Sequence, residues 1–154
     1  MSVDVTTEIV IARPPEVVAT YAADPDKAPE WYRNIRSVTW RTPPPLTVGS
    51  RVDFVARFLG RPMAYTYVVV EHVPLARLVM RTDAGASLPM ETTYTWRALG
   101  DGRTQMILRN RGGRAGRLVP WVVAMAMRRA NRSDLATLRR ILETRKELPA
   151  RASS

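Results

Sequence analysis

Arg13-Pro-Pro-Glu-Val-Val-Ala-Thr-Tyr-Ala-Ala-Asp-Pro-Asp-Lys-Ala-Pro-Glu-Trp31 is the stretch that decides the fold. Two consecutive prolines end any strand before them. They also suit the first turn of a helix, where a missing N–H loses no partner. Glu16 to Ala23 therefore predicts a short helix with Val17, Val18 and Tyr21 as its apolar side. Asp24-Pro25-Asp26 is turn chemistry, and Asp24 is placed to cap a second short helix reaching Trp31.

Outward from this stretch the pattern changes. Val3 to Ala12, upstream, is rich in β-branched residues and predicts a first strand. Downstream, Ile35–Arg41, Ser50–Leu59, Met63–Val73, Leu75–Asp83, Leu88–Leu99 and Arg103–Arg111 alternate in polarity or run β-branched. Between them lie Pro43-Pro-Pro45, Gly60-Arg-Pro62, Val73-Pro74, Ala84-Gly85 and Gly100-Asp-Gly102, all turn chemistry. Such short links predict an antiparallel meander. Gly112-Gly-Arg-Ala-Gly116 is expected to end the sheet as a loop at a cavity entrance.

Leu118 to Leu148 predicts one long helix, with Leu135, Leu138 and Leu142 at helical spacing and Pro120 in its first turn. Residues 1–148 form one domain, and 149–154 a frayed tail. The class is α+β: about seven antiparallel strands, curved around a long C-terminal helix, with two short helices after strand one. The only large cover for the sheet is that final helix. A bent sheet gripping one helix leaves space between them, which suits an apolar ligand.

Composition narrows the function. There are 154 residues and no cysteine, which excludes disulfides, thiolate metal sites and a cysteine nucleophile. His72 is the single histidine, so no His-based metal cluster exists, and its strand-end position beside Val73-Pro74 favours packing over catalysis. Met1 to Thr7 reads as strand, not leader, and the longest uncharged apolar run, Leu118 to Met127, is too short to span a bilayer. The expected compartment is the cytoplasm. No cofactor is implied.

The net charge is +10, and 22 of the 24 basic residues are arginine, as a GC-rich coding bias would produce. Residues 1–108 carry +1 and residues 109–154 carry +9. No base-stacking aromatics are interleaved with Arg128, Arg129, Arg132, Arg139 and Arg140, so specific nucleic-acid recognition is not expected.

Taken together, Arg13 to Trp31, Glu71-His-Val-Pro74, the Gly100-Asp-Gly-Arg-Thr104 turn and the pattern Leu135, Leu138, Leu142, Glu143 resemble the START-like helix-grip superfamily (SRPBCC), specifically its polyketide cyclase/dehydrase-like branch. The likeness runs from the first strand to Glu143. This sequence departs from the family pattern at Arg13, where alanine is usual, and at Ala19, where tryptophan is usual. The superfamily includes polyketide aromatase/cyclases, lipid carriers and hormone receptors, so the resemblance specifies fold more sharply than function.

Strand alternation points Tyr94 and Trp96 inward if Glu91, Thr95 and Arg97 face solvent, and Met106, Leu108 and Asn110 inward if Gln105, Arg109 and Arg111 face out. With Tyr65, Tyr67, Met80, and Trp121 and Met125 from the apolar collar of the helix, these are the expected ligand-contacting residues. Asn110 would be a polar group in an apolar wall, needing a partner, water or ligand. No catalytic residue is singled out.

The expected ligand is a small hydrophobic polyketide- or lipid-like molecule. Cyclisation or dehydration without a cofactor is one reading and a non-catalytic carrier or sensor the other. A basic nucleic-acid-binding or toxin-like protein is a third. Arg114, Arg117, Arg128 and Arg129 are expected to ring the cavity mouth, where an acidic acyl carrier protein or an anionic membrane surface would be attracted.

Overall fold

The computed structural model describes residues 2–58, 60–86, 89–114 and 120–145. The elements are β1 (Ser2–Ile11), α1 (Pro15–Ala23), a 3-10 turn (Pro25–Lys27), α2 (Ala28–Trp31), β2 (Ile35–Trp40), β3 (Arg51–Phe58), β4 (Arg61–Val73), β5 (Arg77–Thr82), β6 (Met90–Gly100), β7 (Arg103–Arg114) and α3 (Pro120–Thr144). Pro15 opens α1, as its fixed φ dictates, and Asp24 accepts the Asp26 N–H at 3.0 Å to start the next turn.

One seven-stranded antiparallel sheet runs in the order β1-β7-β6-β5-β4-β3-β2. Register shifts fall between Val69 and Glu71 in β4 and between Ala98 and Gly100 in β6. Irregularities of this kind bend strands and strengthen their twist. The sheet curls round α3, and the fold is the helix grip. At the β6–β7 hairpin Gly100, Asp101 and Gly102 all have positive φ (84, 55 and 70°), which explains the glycines on both sides of the aspartate.

Several boundaries differ from the sequence expectation: Arg61 and Pro62, for example, belong to β4 and not to the turn before it. β5 starts at Arg77, because Leu75 takes a left-handed φ of 67° in the preceding turn. Gly112, Gly113 and Arg114 are not a loop. They extend β7 against Ser2 and Val3 of β1, whose backbone groups they satisfy. The short helix after Asp24 divides into the 3-10 turn and α2. Gly116, Leu118, Leu148 and the 149–154 tail, like Leu59 and Leu88 at two strand ends, lie outside the described residues.

Two apolar clusters hold α3. Towards its C-terminus Leu135, Leu138 and Leu142 are buried with Trp31, Leu78, Trp96, Met106 and Leu108. Near its N-terminus Val123 and Met127 are buried against Val3 and Val5 of β1. Arg13 locks the C-terminal end. Its guanidinium donates to the carbonyl of Leu142 at 2.8 Å, the Ala12 N–H donates to the Glu143 carboxylate at 2.8 Å, and Thr104 Oγ1 donates to the Arg13 carbonyl at 2.7 Å. A buried cation on the last carbonyls satisfies acceptors that a helix end leaves open and complements its dipole.

Candidate functional site

Between the two clusters α3 stands off the sheet and leaves a cavity of about 470 Å³. That volume lies within the range of small-molecule sites, roughly 300–1,000 Å³. Ala22 and Ala28 close one side from α1 and α2, Phe54, Ala56, Tyr65 and Tyr67 line it from β3 and β4, and Met80, Thr92, Tyr94 and Asn110 from β5, β6 and β7. Met127, Ala130, Asn131 and Asp134 project from α3. Arg57, Pro62 and Ala64 are its exposed lining residues and place the mouth at the β3–β4 hairpin.

The wall is not uniformly apolar. Tyr67 and Thr92 share a hydroxyl hydrogen bond of 2.7 Å, and Asn110 Nδ2 donates to Thr92 Oγ1 at 2.8 Å. Asn131 Nδ2 donates to Asn110 Oδ1 at 2.7 Å, so the chain runs from β4 across the sheet and onto α3. A second group joins the hydroxyls of Tyr32 and Tyr94, which bond to each other. The Asp134 carboxylate is close enough for its charge to help raise both phenols. Its Oδ1 accepts the Arg33 backbone N–H at 3.1 Å, its one hydrogen bond among the described residues.

Electrostatics follow from burial. Tyr32, Tyr65 and Tyr94 are pushed well above the ordinary tyrosine value because burial disfavours the phenolate. Tyr67 is pushed up to about 12 by burial, against the opposing hydrogen bond from Thr92. All four are neutral at pH 7, and the bonded Tyr32–Tyr94 pair keeps one hydroxyl hydrogen that its internal bond does not use. Asp134 is only 3% exposed, and burial raises it to about 6 despite the Arg33 N–H and charge. Burial thus favours its protonated form more than in an ordinary carboxyl. Among the described residues no cluster of His, Asp or Glu could hold a metal.

Of the residues the sequence pointed to, Tyr65, Tyr67, Met80, Tyr94 and Asn110 line the cavity. Trp96, Met106 and Leu108 do not. They face the same side of the sheet but lie beyond the cavity, fully packed beneath the C-terminal part of α3. Trp121 and Met125 are a clearer correction: they are 63% and 58% exposed and turn away from the sheet. Val123 and Met127 occupy the inward phase at that level. Arg114 and Arg117, expected at a rim, have side chains outside the described residues.

Tyr32, Thr92, Asn131 and Asp134 were not anticipated. A signal existed for two of them, since Leu142, Leu138 and Leu135 define an inward stripe that continues through Asp134 and Asn131.

A family model described as polyketide cyclase / dehydrase and lipid transport matches residues 2–146. The chain belongs to this family. Among solved structures, an aromatase/cyclase from Streptomyces sp. R1128 superposes with a TM-score of 0.78 at 18% identity, over 97% of this chain and 98% of that one. A protein from Thermus thermophilus gives 0.77 at 20% identity, over 92% and 99%. A START superfamily protein from Mycobacterium smegmatis gives 0.70 at 16% identity, over 92% and 95%. At such identities the likeness is one of fold. No curated protein sequence is significantly similar to this family member.

Proposed function

We propose that the cavity binds a small, largely apolar molecule of polyketide type bearing ketone or hydroxyl groups, and promotes its cyclisation and dehydration without a cofactor. The observation that carries this reading is the convergence of Tyr32, Tyr94, Asn131 and Asp134 on one stretch of a cavity that Phe54, Ala56, Met80 and Met127 also line. A carrier of plain hydrocarbon has no use for such groups, because unfilled polar positions in an apolar wall weaken binding.

The chemistry follows from the protonation states. The Asp134 carboxylate takes a proton from the carbon between two carbonyls, and the resulting enolate attacks a third, more distant carbonyl to form the ring bond. The oxygen that gains charge receives a proton from the neutral Tyr32–Tyr94 pair. Protonated Asp134 then gives its proton to the new hydroxyl, which leaves as water. The phenolate left on the tyrosine pair takes the second proton from the nucleophilic carbon, so both groups return to their starting states. Most of the acceleration comes from holding a flexible chain folded in a dry space.

A non-catalytic carrier is the second reading, favoured by the apolar lining from Phe54, Ala56, Met63, Met80 and Met127. One experiment separates them. A poly-β-ketone thioester is incubated with the protein and with Ala130→Phe, which fills the cavity. Cyclised product that depends on the open cavity supports the enzyme. Binding with the thioester recovered unchanged supports the carrier, and equal behaviour of the two proteins removes both.

A further inference from the structure

The first turns of α3 present large apolar side chains to solvent, with Trp121 63% and Met125 58% exposed. Trp121, Met125, Arg128 and Arg132 recur at i, i+4, i+7 and i+11, one outward stripe, with Arg129 beside it. All three arginines are exposed, and none meets a carboxylate among the described residues. From Pro120 to Leu142 the helix carries a single acid, Asp134, which is buried. The outward face is therefore apolar at its start and cationic beyond, with no carboxylate of the described residues paired to it.

We infer that this face of α3 docks on an anionic membrane surface. Trp121 and Met125 sink to headgroup level while Arg128, Arg129 and Arg132 meet the lipid anions. An acidic protein would match the charge, but a specific protein interface needs a broad complementary patch. A narrow stripe of protruding Trp and Met on a helix suits a fluid surface better. Met127, on the same turns, lines the cavity from the other side of the helix, so docking brings the cavity close to the bilayer. This inference is independent of what the cavity does.

The test is flotation of the full chain with phosphatidylcholine vesicles, with and without about 30 mol% phosphatidylserine, across a salt series. Binding is expected on the anionic vesicles, weakening as salt rises. Replacing Arg128, Arg129 and Arg132 together by alanine should reduce partitioning roughly a hundredfold, and Trp121→Ala with Met125→Ala at least tenfold, by about the loss of their apolar area. These positions are exposed, and unchanged circular dichroism verifies the fold. Brominated lipid should quench tryptophan emission in the wild type and lose that quenching in Trp121→Phe, which still binds. Equal partitioning onto neutral vesicles would overturn the inference. So would anionic binding indifferent to Trp121 and Met125, or Trp121-dependent capture of an acidic acyl carrier protein with no vesicle binding.

Discussion

Asn131 on α3 donates to Asn110 on β7 at 2.7 Å, the polar tie that joins the helix to the sheet across the cavity wall. Both residues are buried, so breaking the tie from one side exposes an unmet group. Asn131→Ala should lower stability by about 1–3 kcal/mol. Asn131→Leu with Asn110→Leu should recover much of that loss, because no buried partner is left alone. Urea unfolding of the two variants checks the difference, and equal losses would show that the bond itself carries little.

The proton on Asp134 sets a pH dependence of stability. Its carboxyl rises from the ordinary 3.8 to about 6 on folding. Between those values the folded state holds more protons than the unfolded state, so stability falls as pH rises through this window. The fall should be on the order of 2–3 kcal/mol and complete by neutrality. Asp134→Asn keeps an acceptor for the Arg33 N–H and should abolish the fall, leaving the variant more stable than wild type at pH 8. Urea midpoints at pH 4 and pH 8 measure it. A slope that survives in the variant must come from other groups.

Removing one hydroxyl from the tyrosine pair should change which ligands the cavity prefers. Tyr94→Phe is expected to weaken binding of a ketone-bearing aromatic roughly tenfold, about one hydrogen bond. Affinity for its hydrocarbon analogue should hardly move. Paired titration calorimetry gives both values. Parallel losses would mean that Tyr94 contributes shape alone.

Arg13 stands where the family pattern has alanine, and its guanidinium fastens the end of α3. Arg13→Ala should lower stability by about 1–3 kcal/mol through the buried carbonyls left unmet. Lysine at this position, a point charge without a planar fork, should restore only part. Thermal melts that leave Arg13→Ala within a degree of wild type would rule this out.

The same residues show how far the sequence could be read. Prolines, turn glycines and β-branched runs report on the backbone, so the order of elements and the antiparallel sheet followed from them directly. Alternation also says which side a strand residue faces, and Tyr65, Tyr67, Tyr94 and Asn110 do face the helix. It does not say how far along the strand the helix stands off. Trp96 and Met106 share that side with Tyr94 and end in solid core. On α3 the run from Leu118 to Met127 is apolar all round in sequence, so it has no visible phase, and nothing in it shows that Trp121 and Met125 face out. Asp134 is flanked by arginines, so by sequence alone it reads as a charge on the solvated face. Tyr32 follows α2 directly, and its meeting with Tyr94, 62 residues away, depends on tertiary packing alone.

Among the described residues β1 pairs only with β7, the last strand of the sheet in sequence, and contacts such as Thr7 Oγ1 to the Leu108 carbonyl join residues 101 apart. On the ribosome the first strand therefore emerges long before its partner exists, with one edge open and its apolar side chains uncovered. Closing such distant contacts is entropically expensive, and chains dominated by them fold in milliseconds to seconds rather than microseconds. Val3 and Val5 wait longer still, since Val123 and Met127 that cover them come after β7. A nascent chain of this protein thus needs a period of protection from aggregation that ends only when the final helix is released.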